Sequence, residues 1–318
     1  MIQCKDKRST RGSFSVFNGK RTSSGALILA LDHELMSLTI SSGMDEVDIM
    51  DKLEEHFGAV DTQRGTLCMF FDALGQEKNF FIQTIFNFFG TNVSYIGAGA
   101  GSLDFVSFPC VMSNEGLSKG SMSIGFIPET KDLGFSHGWT SVSDSLKVTK
   151  ADGNKVININ HRPAWEVYRE IVSSHSKEDF EKGNFFNVAK SYPLGIAVMD
   201  AEMIVRDLYA LEEDGLMVVD EIKEGEYISV LNGNVKSLLR GARNARMNAY
   251  ENVSSVTQNS FCIDCISRVL FLEEEFDNEL SIIKSDGQLS GVLSIGEIAN
   301  KGDAFLEIYN KIIVVVKW

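Results

Sequence analysis

Side chains able to bind or activate a small molecule lie near the C-terminal end of the sequence. Cys265 and Arg268 lie at the exit of one predicted strand, and Glu297 lies at the exit of another. Because the ends of adjacent strands converge, these side chains can face one crevice. There Arg268 could hold a carboxylate through its planar guanidinium, and Glu297 could pair with an ammonium group, which would suit an amino acid. The alternative is that Arg268 and Glu297 pair with each other and only stabilise the fold.

Two of the five cysteines form the motif Cys262-Ile-Asp-Cys265, which could indicate redox or zinc chemistry. A structural zinc site needs two further ligands, and no histidine or cysteine follows at a suitable spacing. The motif falls in the predicted strand 260–267, where residues three apart point to opposite faces, which disfavours a disulfide. The odd number of cysteines and their apolar neighbours indicate reduced thiols in a cytoplasmic protein.

A glycine-rich segment, from Gly97 through Gly99 to Ser102, follows a predicted strand, as phosphate-binding loops do. No helical pattern follows this segment, and the Gly-Lys-Ser/Thr ending of a nucleotide-binding loop is missing. These observations exclude a dinucleotide or P-loop site. Two interpretations remain, a plain turn and a turn through which the backbone approaches a ligand.

The histidines and the catalytic motifs give little support for metal or enzyme chemistry. The five histidines lack metal-ligand spacing, although His137 could bind haem because a single histidine suffices. A Phe-rich helix at 80–89 could line a haem pocket or belong to an ordinary core. Neither Gly-x-Ser-x-Gly nor His-Glu-x-x-His occurs, and the one conceivable nucleophile–base pair is Cys265 with a distant histidine. We therefore expect no catalysis.

Composition and charge indicate a folded, acidic protein. The 318 residues are 44% hydrophobic and carry a net charge of −14, which disfavours nucleic acids and anionic membrane surfaces as partners. The sequence begins without a signal-peptide pattern, and no apolar run approaches the roughly 20 residues of a membrane span. We expect a cytoplasmic protein that responds to a small molecule inside the cell. A basic stripe at Lys236, Arg240 and Arg243 and acidic residues at 273–279 predict solvated helix faces.

Apolar periodicity predicts a mixture of strands and helices, with a β-α-β unit at 67–96. Predicted strands cover 26–31, 35–40, 67–71, 93–96, 105–112, 121–127, 146–150, 155–159, 196–199, 204–211, 216–219, 227–231, 260–267, 291–297 and 312–316. Predicted helices cover 45–58, 80–89, 163–171, 235–250 and 271–280. The fold class is therefore α/β, with α+β as the alternative, in two mixed-sheet domains with helices packed on the sheets. A break in the pattern near 131–134 places the domain boundary between 13–135 and 136–318.

Motifs in the C-terminal half resemble the FIST family, a sensory module with an N-terminal and a C-terminal domain. The similar segments, in chain order, are 136–139, 148–149, 153–154, 163–168, 194–195, 205–207, 224–226, Cys265-Ile-Ser-Arg268, Ser294-Ile-Gly-Glu-Ile298 and Asn310-Lys311. Their order over about 180 residues is more specific than any single motif. Residues 66–101, ending in Gly97-Ala-Gly-Ala-Gly, are similar to the core of the family's N-terminal domain. The resemblance thus assigns 13–135 as FIST N-like and 136–318 as FIST C-like.

The resemblance implies a ligand-sensing module of a signal-transduction system, without catalysis of its own. It implies a small-molecule ligand, with amino acids favoured, and an output partner such as a histidine kinase or a cyclic-dinucleotide enzyme. The candidate ligand-binding residues are Cys265, Arg268, Gly296, Glu297, Gly97, Gly99, His137 and Asn310. No metal or cofactor is expected. Because some family members bind haem, a haem-based sensor of nitric oxide type is one alternative, and a cysteine-dependent enzyme is the other.

Overall fold

The computed structural model describes residues 15–22, 35–59, 64–177, 180–198, 202–251, 259–284 and 286–318. The chain divides into two compact units. Unit 1 comprises 1–136, 242–267 and 274–318, and unit 2 comprises 137–241 and 268–273. Each unit contains its own sheet structure and its own apolar core.

Strands and short helices follow one another along the described chain. The strands are β1 (Ser15–Phe17), β2 (Lys20–Thr22), β3 (Met36–Ser41), β4 (Thr66–Asp72), β5 (Ser94–Ala100), β6 (Val111–Ser113), β7 (Gly116–Ser118), β8 (Ser121–Ile127), β9 (Leu133–Ser136), β10 (Thr140–Ser141), β11 (Leu146–Asp152), β12 (Lys155–Ile159), β13 (Arg162–Pro163), β14 (Leu194–Ile196), β15 (Ile204–Arg206), β16 (Leu208–Glu212), β17 (Gly215–Val218), β18 (Tyr227–Asn232), β19 (Ser260–Cys265), β20 (Leu289–Ser294), β21 (Glu297–Asn300) and β22 (Ile313–Lys317). The α-helices are α1 (Glu46–Phe57), α2 (Lys78–Phe89), α3 (Ala164–Ser176), α4 (Phe185–Ala189), α5 (Val235–Ala249), α6 (Ile266–Leu272) and α7 (Phe276–Ile283). Short 3-10 turns lie at Lys182–Asn184 and Glu273–Glu275.

A five-stranded sheet in unit 1 has the order β21-β5-β4-β8-β3. Its neighbours β4 and β5 are parallel, and α2 connects them, as the β-α-β pattern predicts. Asp45 caps α1 by accepting a hydrogen bond from the backbone N–H of Asp48 at 2.9 Å, which satisfies an amide of the first turn. The apolar faces of α1 and α2 pack into the core of this sheet with Ile49, Leu53, Phe57, Phe81, Ile85 and Phe89.

A six-stranded sheet, also in unit 1, has the order β2-β1-β20-β19-β22-β9. Strands β19 and β20 are parallel, and their register pairs Cys265 with Ser294, so the two strands end side by side. Strand β22 lies between β19 and β9, and its residues from Ile313 to Val316 are all buried. A continuous β-branched run is typical of a strand buried on both faces.

The chain passes from the six-stranded to the five-stranded sheet between β20 and β21. Gly296 makes the turn with φ +86°, a conformation that glycine adopts without steric cost. Strand β5 lies against this turn: the N–H of Gly99 donates to the carbonyl oxygen of Gly296 at 2.8 Å. The N–H of Ile295 donates in return to the carbonyl oxygen of Gly99 at 3.0 Å. A Cβ at Gly99 would lie 2.0 Å from the carbonyl oxygen of Ile295, so the contact requires a glycine there.

Unit 2 is built on a nine-stranded sheet with the path β15-β14-β18-β11-β12-β17-β16. Strand β10 pairs with β18, and β13 pairs with β12. All these pairings are antiparallel. Helix α3 contributes the buried side chains of Trp165, Tyr168 and Val172 to a core that also contains Phe180 and Phe185.

The predicted fold class is confirmed, because helices and mixed sheets form an α/β structure in two units. The helices predicted at 45–58, 80–89 and 235–250 correspond to α1, α2 and α5. The Phe-rich α2 supplies ordinary core residues, and Lys236, Arg240 and Arg243 on α5 are exposed. The strand predicted at 26–31 lies outside the described residues. The domain division at 135 and 136 stays a prediction.

Several local predictions were wrong, each for a physical reason. Gly97 and Gly99 lie inside β5 and not in a turn, because close strand packing, and not chain reversal, is what requires them. Glu297 begins β21 and does not end a strand, since the chain turns at Gly296. The predicted helix 271–280 is interrupted by a 3-10 turn, and Glu279 is buried on α7 and not solvated.

The C-x-x-C segment also differs from its prediction. Strand β19 ends at Cys265 and α6 begins at Ile266, so Cys265 stands where a strand turns into a helix and not within a strand. The helix that follows was not predicted because five of its seven residues are apolar, so its sequence shows no clear polar face. Within the described part of the chain, none of the helices has the length and apolarity that a bilayer crossing requires.

Substitution of Gly99 should show how much unit 1 depends on the contact between β5 and the turn. We expect Gly99→Ala to lower the free energy of unfolding by about 1–3 kcal/mol, because neither backbone segment can move aside without breaking hydrogen bonds. Gly183→Ala is the matched control, since a Cβ there meets nothing within 4 Å, and it should change stability by less than about 0.5 kcal/mol. Urea denaturation measures both variants. Equal stabilities would contradict the assigned role of Gly99.

Candidate ligand-binding site

Buried polar side chains surround the crossing between the two sheets of unit 1, and we call this group the seam cluster. It consists of Asp264, Ser294, Glu297, Asn310 and Lys311, each at most 3% exposed. The first two lie at the ends of the parallel strands β19 and β20, Glu297 begins β21, and the last two precede β22. A buried charge is costly unless an opposite charge, hydrogen bonds or a ligand match it. The seam cluster is therefore a group of buried polar residues whose presence in unit 1 requires a structural or functional reason.

Glu297 is held at the crossing by its backbone and by its side chain. Its N–H donates to the carbonyl oxygen of Tyr309 at 2.9 Å, and its own carbonyl oxygen accepts from the N–H of Tyr309 at 2.8 Å. The hydroxyl of Ser294 donates to Oε1 of Glu297 at 2.6 Å, and Oγ also lies 3.2 Å from the carbonyl oxygen of Asp264. Because a hydroxyl carries one proton, the shorter, charge-assisted contact is the stronger one. One carboxylate oxygen of Glu297 thus has a fixed position.

The backbone adopts left-handed conformations at Gly296, which precedes Glu297, and at Lys311. Gly296 has φ +86° and Lys311 has φ +60°. A left-handed lysine costs roughly 1–2 kcal/mol, and such conformations concentrate at ligand-binding sites. Neighbouring hydrogen bonds hold the segment, since the N–H of Cys265 donates to the carbonyl oxygen of Ile312 at 3.2 Å and Nδ2 of Asn310 donates to that of Tyr309 at 3.1 Å.

The predicted glycines support the seam cluster through close packing of strands. A Cβ at Gly97 would lie 2.4 Å from the carbonyl oxygen of Met69, and Gly99 contacts the turn at Gly296. Strand β21 pairs with β5 so that Glu297 stands opposite Ala98. Both glycines therefore let neighbouring backbones approach and set the register that places Glu297.

The two cysteines of the C-x-x-C motif are buried in β19. Cys265 is 3% exposed and Cys262 has no exposed surface. Burial raises the pKa of the Cys262 thiol well above its ordinary value, and the carboxylates of Asp264 and Glu279 raise this pKa further. A reactive cysteine is an accessible thiolate in electropositive surroundings. Cys262 has the opposite environment.

Arg268 lies in unit 2 and is fully buried near the start of α6. Its guanidinium donates to the carbonyl oxygen of His137, and to that of Leu238 at 3.1 Å. The guanidinium carbon is 5.7 Å from the ring centroid of Trp139, a cation–π distance. Arg268 thus joins α6 to the loop after β9 and to α5, which gives it a structural role.

Two glycines allow the elements around Arg268 to meet. Gly138 has φ +86°, and a Cβ there would lie 2.5 Å from the carbonyl oxygen of Ser237. A Cβ at Gly241 would lie 3.0 Å from the Cα of Gly138. The loop therefore contacts α5 backbone to backbone, and this brings the carbonyl groups of His137 and Leu238 within reach of one guanidinium.

His137 is buried beside Arg268, and both of its ring nitrogens have polar neighbours. The N–H of Trp139 donates to Nδ1 of His137 at 2.8 Å, which places the proton of the neutral ring on Nε2, 3.6 Å from Oε1 of Glu202. Burial lowers the pKa of His137, Glu202 opposes this shift, and the positive charge of Arg268 adds to it. Such a histidine does not fit an axial haem ligand, because neither nitrogen is available without rearrangement.

The structure thus distributes the predicted site residues over the two units. Unit 1 brings together Cys265, Gly296, Glu297, Gly97, Gly99 and Asn310 around the seam cluster. Unit 2 brings together His137 and Arg268. The predicted crevice shared by Arg268 and Glu297 stays a prediction, because the two residues belong to different units.

Three members of the seam cluster, Asp264, Ser294 and Lys311, were not among the predicted site residues, although Ser294 and Lys311 lie in the segments that resemble the family. The strongest overlooked signal is Asp264, an acidic residue inside the apolar segment of β19. Lys311, two residues before the apolar strand β22, is a similar signal. Among the described residues, no group of three or more His, Cys, Asp or Glu side chains is arranged to hold a metal ion.

Comparison with known protein families agrees with this organisation. The model of the FIST N domain matches residues 6–162, and the model of the FIST C domain matches residues 164–300. The chain belongs to the FIST family. FIST domains are sensory modules of signal transduction, so the expected sensory role is confirmed at this level. Three members of the seam cluster, Asp264, Ser294 and Glu297, lie within the residues that the FIST C model matches.

A similar protein is the uncharacterized protein MJ1623 of Methanocaldococcus jannaschii, which is 25% identical over 120 residues. The aligned segment covers 34% of this FIST chain and 23% of the relative. The chain therefore spans about a quarter of the length of the curated relative that it matches.

The burial of His137 should make the stability of the FIST protein depend on pH. Because its pKa is lowered in the folded state, the unfolded state binds more protons, and the stability present above pH 6.5 is lost as the pH falls below that value. His137→Asn keeps an acceptor for the N–H of Trp139 but does not titrate. Chemical denaturation between pH 7.5 and 5.5 should therefore show a steeper loss for the wild-type protein than for the variant. Parallel losses would contradict the assigned environment of His137.

Proposed function

We propose that the protein senses a small zwitterionic molecule, with amino acids as the favoured class, and that the seam cluster is its binding site. One observation carries the proposal: Glu297, without exposed surface, receives the hydroxyl of Ser294 at 2.6 Å where the chain crosses between two sheets. A carboxylate fixed in this way is pre-organised to recognise a cationic group. Membership of a sensory family supports the same assignment.

The chemistry of the cluster suits both ends of an amino acid. The carboxylate of Glu297, with the hydroxyl of Ser294 beside it, would attract an ammonium group. The amide of Asn310 and the ammonium of Lys311 would attract a carboxylate, and both of these residues are buried, where electrostatic attraction is strong. A ligand with one group of each sign would match the site without adding net charge to the interior.

Access to the cluster requires movement of the protein. Glu297 and Lys311 are at most 1% exposed, so a ligand reaches them only when a covering segment shifts. Such a shift is what a sensor needs, because a ligand can change an equilibrium only by binding one conformation better than another. The left-handed backbone at Lys311 supports the proposal, since strained backbone concentrates at ligand clamps and switches.

The proposed role includes no chemical reaction, and the output comes from another protein. Cys265 is 3% exposed, which does not favour the alternative of a cysteine-dependent enzyme. The arrangement of His137 does not favour the alternative of a haem sensor. As partner we propose a cytoplasmic signalling protein, such as a histidine kinase or a cyclic-dinucleotide enzyme, as the family implies.

Substitution of Glu297 tests the site. A thermal-shift screen with the common amino acids should find one that raises the melting temperature, because a ligand of the native state stabilises it. Titration calorimetry with that amino acid should show at least a tenfold weaker affinity for Glu297→Gln, as expected when a buried charge-assisted contact is lost. Glu279→Gln is the matched control, since Glu279 is equally buried in unit 1 but lies on α7.

Glu279→Gln should keep an affinity within a few fold of the wild-type value, even if it melts earlier. If both variants lose stability and both bind the amino acid normally, Glu297 is structural and the assigned site is wrong. If no amino acid raises the melting temperature of the wild-type protein, the proposed ligand class is wrong.

A further inference from the structure

The segment between β21 and the end of the seam cluster forms a loop of residues 301–308. The loop leaves the sheet after Asn300 and returns at Tyr309, directly before Asn310 and Lys311. Tyr309, which follows the loop, exchanges a pair of backbone hydrogen bonds at 2.9 and 2.8 Å with Glu297, the first residue of β21. The residues that close this loop are therefore members or immediate neighbours of the seam cluster.

The 301–308 loop presents one large apolar side chain to solvent. Phe305 is 81% exposed, whereas Leu306 and Ile308 are buried in the core of the five-stranded sheet. The ring of Phe305 rests against Phe86 of α2, with ring centroids 5.8 Å apart. The exposed ring therefore contacts α2, and the residues that follow it hold the loop in the core.

Asn300 connects this exposed ring to β21. Its Nδ2 donates to the carbonyl oxygens of Ala304 and Phe305 at 2.9 and 3.0 Å, and its Oδ1 accepts from the N–H of Gly302 at 2.7 Å. Asn300 is 4% exposed and ends the strand that Glu297 begins. Hydrogen bonds therefore connect the last residue of β21 to the backbone of Phe305.

We propose that the 301–308 loop reports the state of the seam cluster at the protein surface, with Phe305 as the reporting side chain. The inference rests on the proposed function, because it assigns the regulatory readout of that same site. A movement at the seam cluster can reach Phe305 by two short routes. One runs through β21 and the side chain of Asn300, and the other runs from Tyr309 back along the chain through Ile308 and Leu306. Because Glu297 is buried and its backbone pairs with Tyr309, we expect ligand entry to shift both β21 and the residue that follows the loop.

Fluorine NMR tests this coupling. Trifluoromethyl-phenylalanine is placed at Phe305 by amber suppression, and the same residue is placed at Phe186 as the control. Phe186 is also exposed, at 61%, but lies on α4 in unit 2. The Phe305 signal should shift when Glu297→Gln is introduced, and it should stay unchanged with Glu279→Gln. The Phe186 signal should stay unchanged with both.

The amino acid found in the thermal-shift screen gives the second arm. It should shift the Phe305 signal, and Asn300→Ala should abolish this shift while affinity measured by calorimetry stays within a few fold. A Phe305 signal that responds to neither the bound amino acid nor Glu297→Gln would overturn the coupling and leave the binding site intact. A signal that responds to Glu297→Gln, while no amino acid binds, would support the coupling and overturn the proposed ligand.

Discussion

The close contact between β5 and the turn at Ile295 and Gly296 is the constraint on which the organisation of unit 1 depends. Two backbone hydrogen bonds, at 2.8 and 3.0 Å, hold the turn against Gly99. These bonds can form only because Gly99 has no side chain, since a Cβ would lie 2.0 Å from a carbonyl oxygen. The contact lets one chain segment end a strand of one sheet and begin a strand of the next. Glu297 is the first residue after that crossing.

Burial of charge follows from this crossing. Strands β19 and β20 end side by side, and the chain returns before β22, so buried polar residues lie at three neighbouring strand ends. In an interior of low dielectric, charged and amide groups interact strongly with one another and with any ligand that enters. The same low dielectric makes the arrangement costly, and proteins often keep such costly arrangements at functional sites. FIST domains are sensory modules, and we propose that this costly arrangement serves ligand recognition.

Much of the fold could be predicted because local signals agree with the final structure. The β-branched run of β22 and the acidic first turn of α1 each indicate their elements directly. The order of motifs around Cys265, Arg268 and Glu297 was sufficient to indicate the family, which the matches at 6–162 and 164–300 confirm. These features depend on neighbouring residues in the sequence, which is why they can be recognised there.

Features that depend on distant contacts could not be predicted. The sequence Gly97-Ala-Gly99 is compatible with a turn and also with a tightly packed strand. Only the positions of Ile295 and Met69, which lie against these glycines, distinguish the two structures. Glu279 lies in an acidic segment that suggests solvent, but its position on α7 buries it. Arg268 follows a strand, as a ligand-binding arginine would, yet its donors contact carbonyl groups far away in the sequence. In each case the tertiary partner decides the role.

Binding of the ligand at the seam cluster can be tested by a crystal structure of the protein grown with the amino acid that most raises its melting temperature. We expect the ammonium group of the ligand to lie within hydrogen-bonding distance of the Glu297 carboxylate. A ligand bound elsewhere, with Glu297, Ser294 and Tyr309 keeping their present contacts, would contradict it.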